Sequence, residues 1–215
     1  MRGIFLTFEG PDGAGKTTQL SLLADALTAG GYEVVRTREP GGTRISDQIR
    51  AILLDPEHTE MTGAAEVLLY AAARAQHVRE KILPALKEGK IVLCDRYIDA
   101  SIAYQAYGLG IDPEIVRSVN AFASSGLRPD RTYLLDISVE AGMKRLVSRG
   151  GALAAQGLDR IESRQAAYHE RVRRAFRQIA ESEPDRVLVV NADQPAEQIH
   201  ACILDDCSRL LEKLR

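Results

Sequence analysis

Eight consecutive residues, Gly10-Pro11-Asp12-Gly13-Ala14-Gly15-Lys16-Thr17, have the types and spacing to hold a polyphosphate. They match G-x-x-x-x-G-K-[ST], and they lie between an apolar run, Ile4-Phe5-Leu6-Thr7-Phe8, and a helix-like segment beginning Thr18-Gln19-Leu20. Glycines let the backbone turn with positive φ and aim its N–H groups at phosphate oxygens, and the following helix adds the partial positive charge of its N-terminus. Lys16 reaches the β- and γ-phosphates as a mobile point charge, and the Thr17 hydroxyl can ligate Mg²⁺. Four such fixed positions recur by chance in roughly 1% of chains this long, before the strand and helix context is required. Binding of a nucleoside triphosphate is the first expectation.

Further residues speak to what happens to that triphosphate. The run Ile91-Val92-Leu93-Cys94-Asp95 ends a buried strand on a carboxylate, at the edge where ligands of an open parallel sheet sit. Asp95 there can hold Mg²⁺ directly or through water. The run 132–136 also ends on Asp136, but leads through Ser138 into a helix, so a turn or capping role explains it; Asp95 is the favoured metal carboxylate. Asp95 is followed by Arg96 where many phosphate-loop motors carry Glu, and a cation there suits a phosphate acceptor rather than activation of water. The guanine-reading N-K-x-D pattern is absent, since Asn191-Ala192-Asp193-Gln194 lacks the lysine. This disfavours a GTPase switch.

Three candidate acceptor groups stay open between a binding and a structural reading. Arg38, in Thr37-Arg38-Glu39-Pro40-Gly41-Gly42-Thr43, either grips a second phosphate with its fork or is a solvated loop arginine. Tyr70 and Arg74, four apart on one helical face, either stack on and hydrogen-bond a base or supply core packing and a surface salt bridge. Ser101 and Tyr104, three apart, admit the same two readings.

The elements that must position these residues follow from periodicity. Five short apolar segments, 4–8, 34–37, 91–94, 132–136 and 187–190, read as strands buried on both faces of a parallel sheet. Between them lie helical patterns: Leu20, Leu23, Ala24 and Leu27 on one face ended by Gly30-Gly31, then 43–54, 61–86 with Pro84 marking a kink or end, 113–124, 139–149, 159–179 and 195–214. Strands alternating with helices predict a doubly wound α/β fold. The segment 150–157, all small residues apart from Leu153 and Gln156, is either a flexible connection or the tip of a moving lid.

Composition bounds these expectations. At 215 residues the chain suits one α/β domain spanning 1–215, and 45% hydrophobic with 27% charged residues is an ordinary globular balance. A net charge of −2, from 28 basic and 30 acidic residues, gives no electrostatic case for nucleic acid or an anionic membrane. Cys94, Cys202 and Cys207 form no C-x-x-C pair and read as small apolar residues in a reducing compartment. No apolar run reaches membrane-spanning length, and the opening run is too short for a secretory core, so a cytoplasmic location is expected.

With these residues assembled, the chain resembles the bacterial-type thymidylate kinases (dTMP kinases). The resemblance runs nearly end to end. It is carried by the loop from Phe8 to Thr18, by Thr37-Arg38-Glu39-Pro40-Gly41-Gly42-Thr43, by Leu68-Leu69-Tyr70-Ala71-Ala72-Ala73-Arg74-Ala75-Gln76-His77, by Asp95-Arg96-Tyr97 with Ala103-Tyr104-Gln105, by Leu134-Leu135-Asp136 and by Asp159-Arg160-Ile161-Glu162. It implies a nucleoside monophosphate kinase-like fold with five parallel strands and a lid at about 146–160. It implies ATP on Gly10, Pro11, Asp12, Gly13, Ala14, Gly15, Lys16, Thr17 and Thr18, with Thr17 and Asp95 around Mg²⁺. The acceptor dTMP would be held by Asp12, Arg38, Tyr70, Arg74, Arg96, Ser101, Tyr104 and Gln105, with Tyr104 under the sugar at C2′. Lys16, Arg96, Arg149 and Arg160 would carry catalysis, the last two as lid arginines, because Gly13 stands where other members of the family place a P-loop arginine. A homodimer packed through helices is also implied. The sequence departs from the family in its longer, arginine-poor lid, in Tyr70 where Phe is usual, and in Ala106-Tyr107-Gly108-Leu109 after Gln105. Against this stand a kinase for a different nucleoside monophosphate, and a nucleotide-binding switch without transfer.

Overall fold

The computed structural model describes residues 3–153 and 158–213, and the side chains of 149–153 lie outside that description. The five apolar runs form one sheet: β1 (Ile4–Glu9), β2 (Val34–Arg38), β3 (Ile91–Asp95), β4 (Arg131–Asp136) and β5 (Val187–Asn191). Every boundary falls within one residue of the expected one. The strand order is β2-β3-β1-β4-β5 with all neighbours parallel, so β1 and its loop sit at the centre. Alternate residues of each strand face opposite layers. Leu6 and Phe8 of β1 pack with helices α1 (Lys16–Ala29) and α9 (Ala196–Lys213), through Leu20, Leu23, Leu27, Ile199, Ile203 and Leu211. Phe5 points the other way, onto Val78, Ile82, Leu86 and Tyr97. Both faces of the sheet are therefore covered, which is why its strands read as unbroken apolar runs.

Helix starts follow local chemistry. Thr43 caps α2 (Arg44–Leu54) by accepting the Ser46 N–H, and Thr62 caps α3 (Gly63–His77) by accepting that of Ala65. The long helical pattern 61–86 resolves into α3, a π-helical turn over Val78–Ile82, and α4 (Leu83–Lys87). In the widened turn the Leu83 N–H donates to Val78 O, five residues back. That relaxes the helix just where Pro84 lacks a donor and its ring would crowd the preceding turn. A second π-helical stretch, Ile102–Gly108, continues α5 (Ile98–Ser101) and was not expected from the pattern.

Three further helices follow: α6 (Pro113–Ser124), α7 (Val139–Leu153) and α8 (Ala166–Ser182). The expected helix 159–179 begins seven residues late. The Asp159 carboxylate accepts the N–H groups of Ile161 and Glu162, while Glu162 accepts that of Asp159, a stapled turn that competes with helix. The expected lid tip overlaps residues 154–157 and lies outside the described residues. Asp136, expected in a turn or cap, instead holds Arg173 of α8 with two bonds of 2.8 and 3.1 Å. Ser138 does the capping, by accepting the Ala141 N–H.

Among the described residues no helix is long and apolar enough to cross a membrane. Three large apolar side chains nevertheless face outward on the neighbouring helices α3 and α6: Leu68, Ile115 and Phe122, the last 86% exposed.

Candidate functional site

The loop after β1 meets the end of β3 at the carboxyl edge of the sheet. Gly15, at φ 91°, is the residue that lets the loop close directly into α1, a backbone state in which side chains are strained. Gly13, at φ 76°, has a second constraint: a Cβ there would run into the backbone of Gly142 in the first turns of α7. An arginine could not replace it without moving α7. Lys16 folds back over the loop and donates to Gly10 O (3.1 Å) and Pro11 O (2.8 Å). The Thr17 hydroxyl donates to Asp95 Oδ2 at 2.5 Å, so the two oxygen groups expected around Mg²⁺ are already neighbours. Ala14 is buried in the core beneath the loop, and Thr18 is exposed outside the cleft.

Arg96 joins this loop to the opposite wall of the cleft. It holds φ 70°, unusual for a residue with a side chain, and its N–H donates to Phe8 O at 2.9 Å. Its guanidinium donates to Gly10 O (3.0 Å), to Tyr104 Oη (3.0 Å) and to the Asp12 carboxylate, and Tyr104 Oη in turn donates to Asp12 Oδ2 (2.8 Å). Arg96, Tyr104 and Asp12 line a cleft of ≈ 250 Å³ together with Gly13, Lys16, Thr17, Arg38, Glu39, Tyr70, Arg74, Asp95, Ser101 and Gln105.

The two open readings of Arg74 resolve into a third. It is no surface ion pair, being 2% exposed on the cleft wall. Its guanidinium donates to Glu39 Oε2 (2.7 Å), Ser101 Oγ (3.0 Å), Tyr97 O (2.9 Å) and Asn120 Oδ1. Glu39 Oε1 also bonds His77 Nδ1, and His77 Nε2 bonds the Thr37 hydroxyl, so the chain after β2 is pinned to α3. Arg38 remains half-exposed and reaches Asp47 at 3.2 Å.

Charges in the cleft are tuned by burial and by each other. Burial, reinforced by Arg96, pushes the Lys16 ammonium down to about 8. Asp12 is held below the ordinary carboxylate range, because Arg96 and Lys16 outweigh the opposing effect of burial. Glu9, fully buried beneath the loop, is pushed up to about 8 by burial and by the nearby Asp99 carboxylate. Its Oε1 accepts the N–H groups of Tyr97 (2.7 Å) and Ala100 (3.3 Å), and its Oε2 has no hydrogen-bond partner among the described residues.

Two expectations about catalytic arginines need separate treatment. Arg160 does not face the cleft: its Nε donates to Leu53 O (2.8 Å) and its terminal nitrogen to Glu66 Oε2 (2.8 Å), in a buried position. A guanidinium so committed is not free to meet a phosphate. Arg149 belongs to α7, and its side chain lies outside the described residues. Sequence reasoning assigned no role to Glu39, Arg50, Asp159 and Glu162, all of which line the cleft. Glu39 stands inside the quoted Arg38–Thr43 segment. Arg50 gives no signal, being one of several charged residues on α2; burial and Arg38 beside it lower its pKa.

The sheet order, the loop and the two-sided cleft define a P-loop protein of the nucleoside monophosphate kinase type. The family model described as "Thymidylate kinase" matches residues 8–203. A thymidylate kinase of Exiguobacterium sibiricum is 55% identical over 213 residues, covering 99% of this chain and 98% of its own. One from Geotalea uraniireducens is 49% identical over 201 residues, covering 94% of each. The crystal structure of thymidylate kinase from Ehrlichia chaffeensis superposes with a TM-score of 0.76 at 32% identity, over 96% of this chain and 99% of that one. The chain belongs to the thymidylate kinase family.

Glu9 supplies a pH test of this geometry. Its folded pKa lies above that of an unfolded glutamate, so the folded form holds a proton that the unfolded form releases between about pH 4.5 and 8, and stability falls with rising pH through that window. Glu9→Gln removes this dependence. In urea titrations at pH 5, 6.5 and 8 the variant gains steadily on the wild type as pH rises; a constant difference contradicts the buried, proton-holding carboxyl.

Proposed function

We propose that the protein transfers the γ-phosphoryl group of ATP to dTMP, giving dTDP for dTTP synthesis. The observation that carries this reading is the Asp95-Arg96 pair: Asp95 bonds Thr17 at the end of the P-loop, while Arg96 bridges Asp12 within that loop to Tyr104 on the opposite wall. Donor and acceptor elements thus meet at one point. ATP occupies residues 10–18, its phosphates facing the loop N–H groups and Lys16. The acceptor phosphate is taken by Arg96 and Arg38, joined by Arg50. The base lies against Tyr70, with Arg74, Ser101 and Gln105 at its polar edge; the sugar lies between Asp12 and Tyr104, whose ring disfavours a 2′-hydroxyl.

Thr17 and Asp95 are hard oxygen ligands one hydrogen bond apart, a donor set that fits Mg²⁺ completed by phosphate oxygens and water. When bound, the ion neutralises charge on the phosphates. The chain's own contribution is positional and electrostatic. Lys16 and Arg96 hold the two phosphates in line and offset their mutual repulsion, and the acceptor phosphate needs no strong base. The unshared N–H of Arg74 is preorganised by four bonds to the protein, so base binding orders little.

One kinase domain spans the chain, with residues 146–160 as a lid that excludes water on closing. Leu146 lines the cleft and Arg149 follows three positions later in α7, which supports Arg149 over Arg160 as the lid cation. Three free cysteines, one of them exposed, fit a reducing cytoplasm. The apolar face formed by Leu68, Ile115 and Phe122 supports a homodimer closed by α3 and α6.

Label from [γ-³²P]ATP appears in dTDP, with dTMP preferred over UMP, CMP and AMP. Label found only in free phosphate overturns the transfer, and a preference for another monophosphate overturns the acceptor. Arg149→Ala lowers kcat by about 10²-fold, the usual effect of losing one transition-state cation; normal turnover removes it from the mechanism. In light scattering the wild type has the mass of two chains and Phe122→Glu that of one, and a monomeric wild type refutes the dimer.

A further inference from the structure

Glu66 lies in the first turn of α3, away from the reacting phosphates, and its side chain is completely buried. Three donors from two other parts of the chain converge on it. Gln105 Nε2 donates to Oε1 at 2.9 Å, while Arg160 and Arg164 donate to Oε2 at 2.8 and 2.6 Å. Arg160 extends the network to the end of α2, donating its Nε to Leu53 O and its backbone N–H to Leu54 O. Arg164 lies over the Tyr168 ring at 4.6 Å.

Each element tied to this carboxylate also furnishes part of the cleft. Leu54 comes from the end of α2, Tyr70 from one turn further along α3, Gln105 from the π-helical stretch, and Asp159, Ile161 and Glu162 from the turn at the lid's root. The Glu66 carboxylate is the point they share. A single negative charge facing two guanidiniums in a buried setting is costly to leave incomplete, so the network holds only one arrangement of these parts.

We infer that Glu66 is a positioning residue for the reaction: it fastens the lid root, through Arg160 and Arg164, to the wall that binds the acceptor nucleotide. This rests on the phosphotransferase reading above. Arg160 on this view acts through Glu66 and not on phosphate. The P-loop is outside the network, so nucleotide binding there is independent of it.

The test is Glu66→Gln, which keeps shape and removes charge, with dTMP and ATP as substrates. The expected result is a rise of about tenfold or more in KM for dTMP with a fall in kcat, while the Kd for ATP alone stays within twofold of wild type. The pair replacement Glu66→Met with Arg160→Met removes the carboxylate and the more buried of its two guanidiniums, leaving the partly exposed Arg164, so it restores much of the thermal stability lost in Glu66→Gln but leaves the dTMP defect. A purely structural role moves Tm alone: kinetic constants unchanged in folded Glu66→Gln, or recovered with Tm in the pair variant, overturn the inference. Should Glu66→Gln fail to fold, the pair variant decides the matter through the same KM. Wild-type protein that transfers no phosphoryl to dTMP overturns the function itself, an outcome distinct from an active wild type matched by its variants.

Discussion

Parallel pairing of β1 with β3, with Phe8 opposite Asp95, is the constraint on which the site depends. In this register the P-loop leaves β1 just where β3 ends, so Thr17 and Asp95 meet although 78 positions apart. A slip of one residue would turn Asp95 to the opposite face of the sheet. The junction is then locked from above by Arg96, whose N–H bonds Phe8 O and whose guanidinium returns to Gly10 O. Its left-handed backbone is a local strain of order 1 kcal/mol, held by these bonds on both sides.

The cleft wall opposite the P-loop is organised by a different device. Glu39, Arg74 and His77 are almost wholly buried, yet each has hydrogen-bonding partners. Such a network adds little net stability, because desolvation offsets most of the attraction. What it supplies is a single geometry for Arg74 at the cleft, fixed before any ligand arrives. The packed apolar layers on both sides of the sheet carry the stability that this arrangement consumes.

Much of this was legible in the sequence. Five strands, the loop glycines and Asp95 at a strand end all follow from patterns whose period and residue type are local, whereas the strand order that centres β1 depends on long-range pairing. The stapled turn at Asp159 was not, because its competition with helix depends on two carboxylates finding backbone N–H groups three residues away. Nor were the π-helical stretches, which have no periodic signature. Tyr70, Arg74, Ser101 and Tyr104, singled out by the family resemblance, line the cleft, whereas the Arg160 guanidinium is turned to Leu53 O and Glu66. An arginine in a charged motif looks the same whether it faces phosphate or a buried carboxylate on a distant helix. Glu66 was invisible for the same reason: its partners lie outside its own segment.

The backbone contact between Gly13 and Gly142 reaches beyond the present site. It makes the location of a cation near the triphosphate a joint property of the loop and of α7. A redesign that moved positive charge into the loop at position 13 would have to shift the backbone at the start of α7, since the atoms in the way are Gly142 O, C and Cα. On this scaffold the path of α7, and no single side chain, decides where beside the loop a cation can stand.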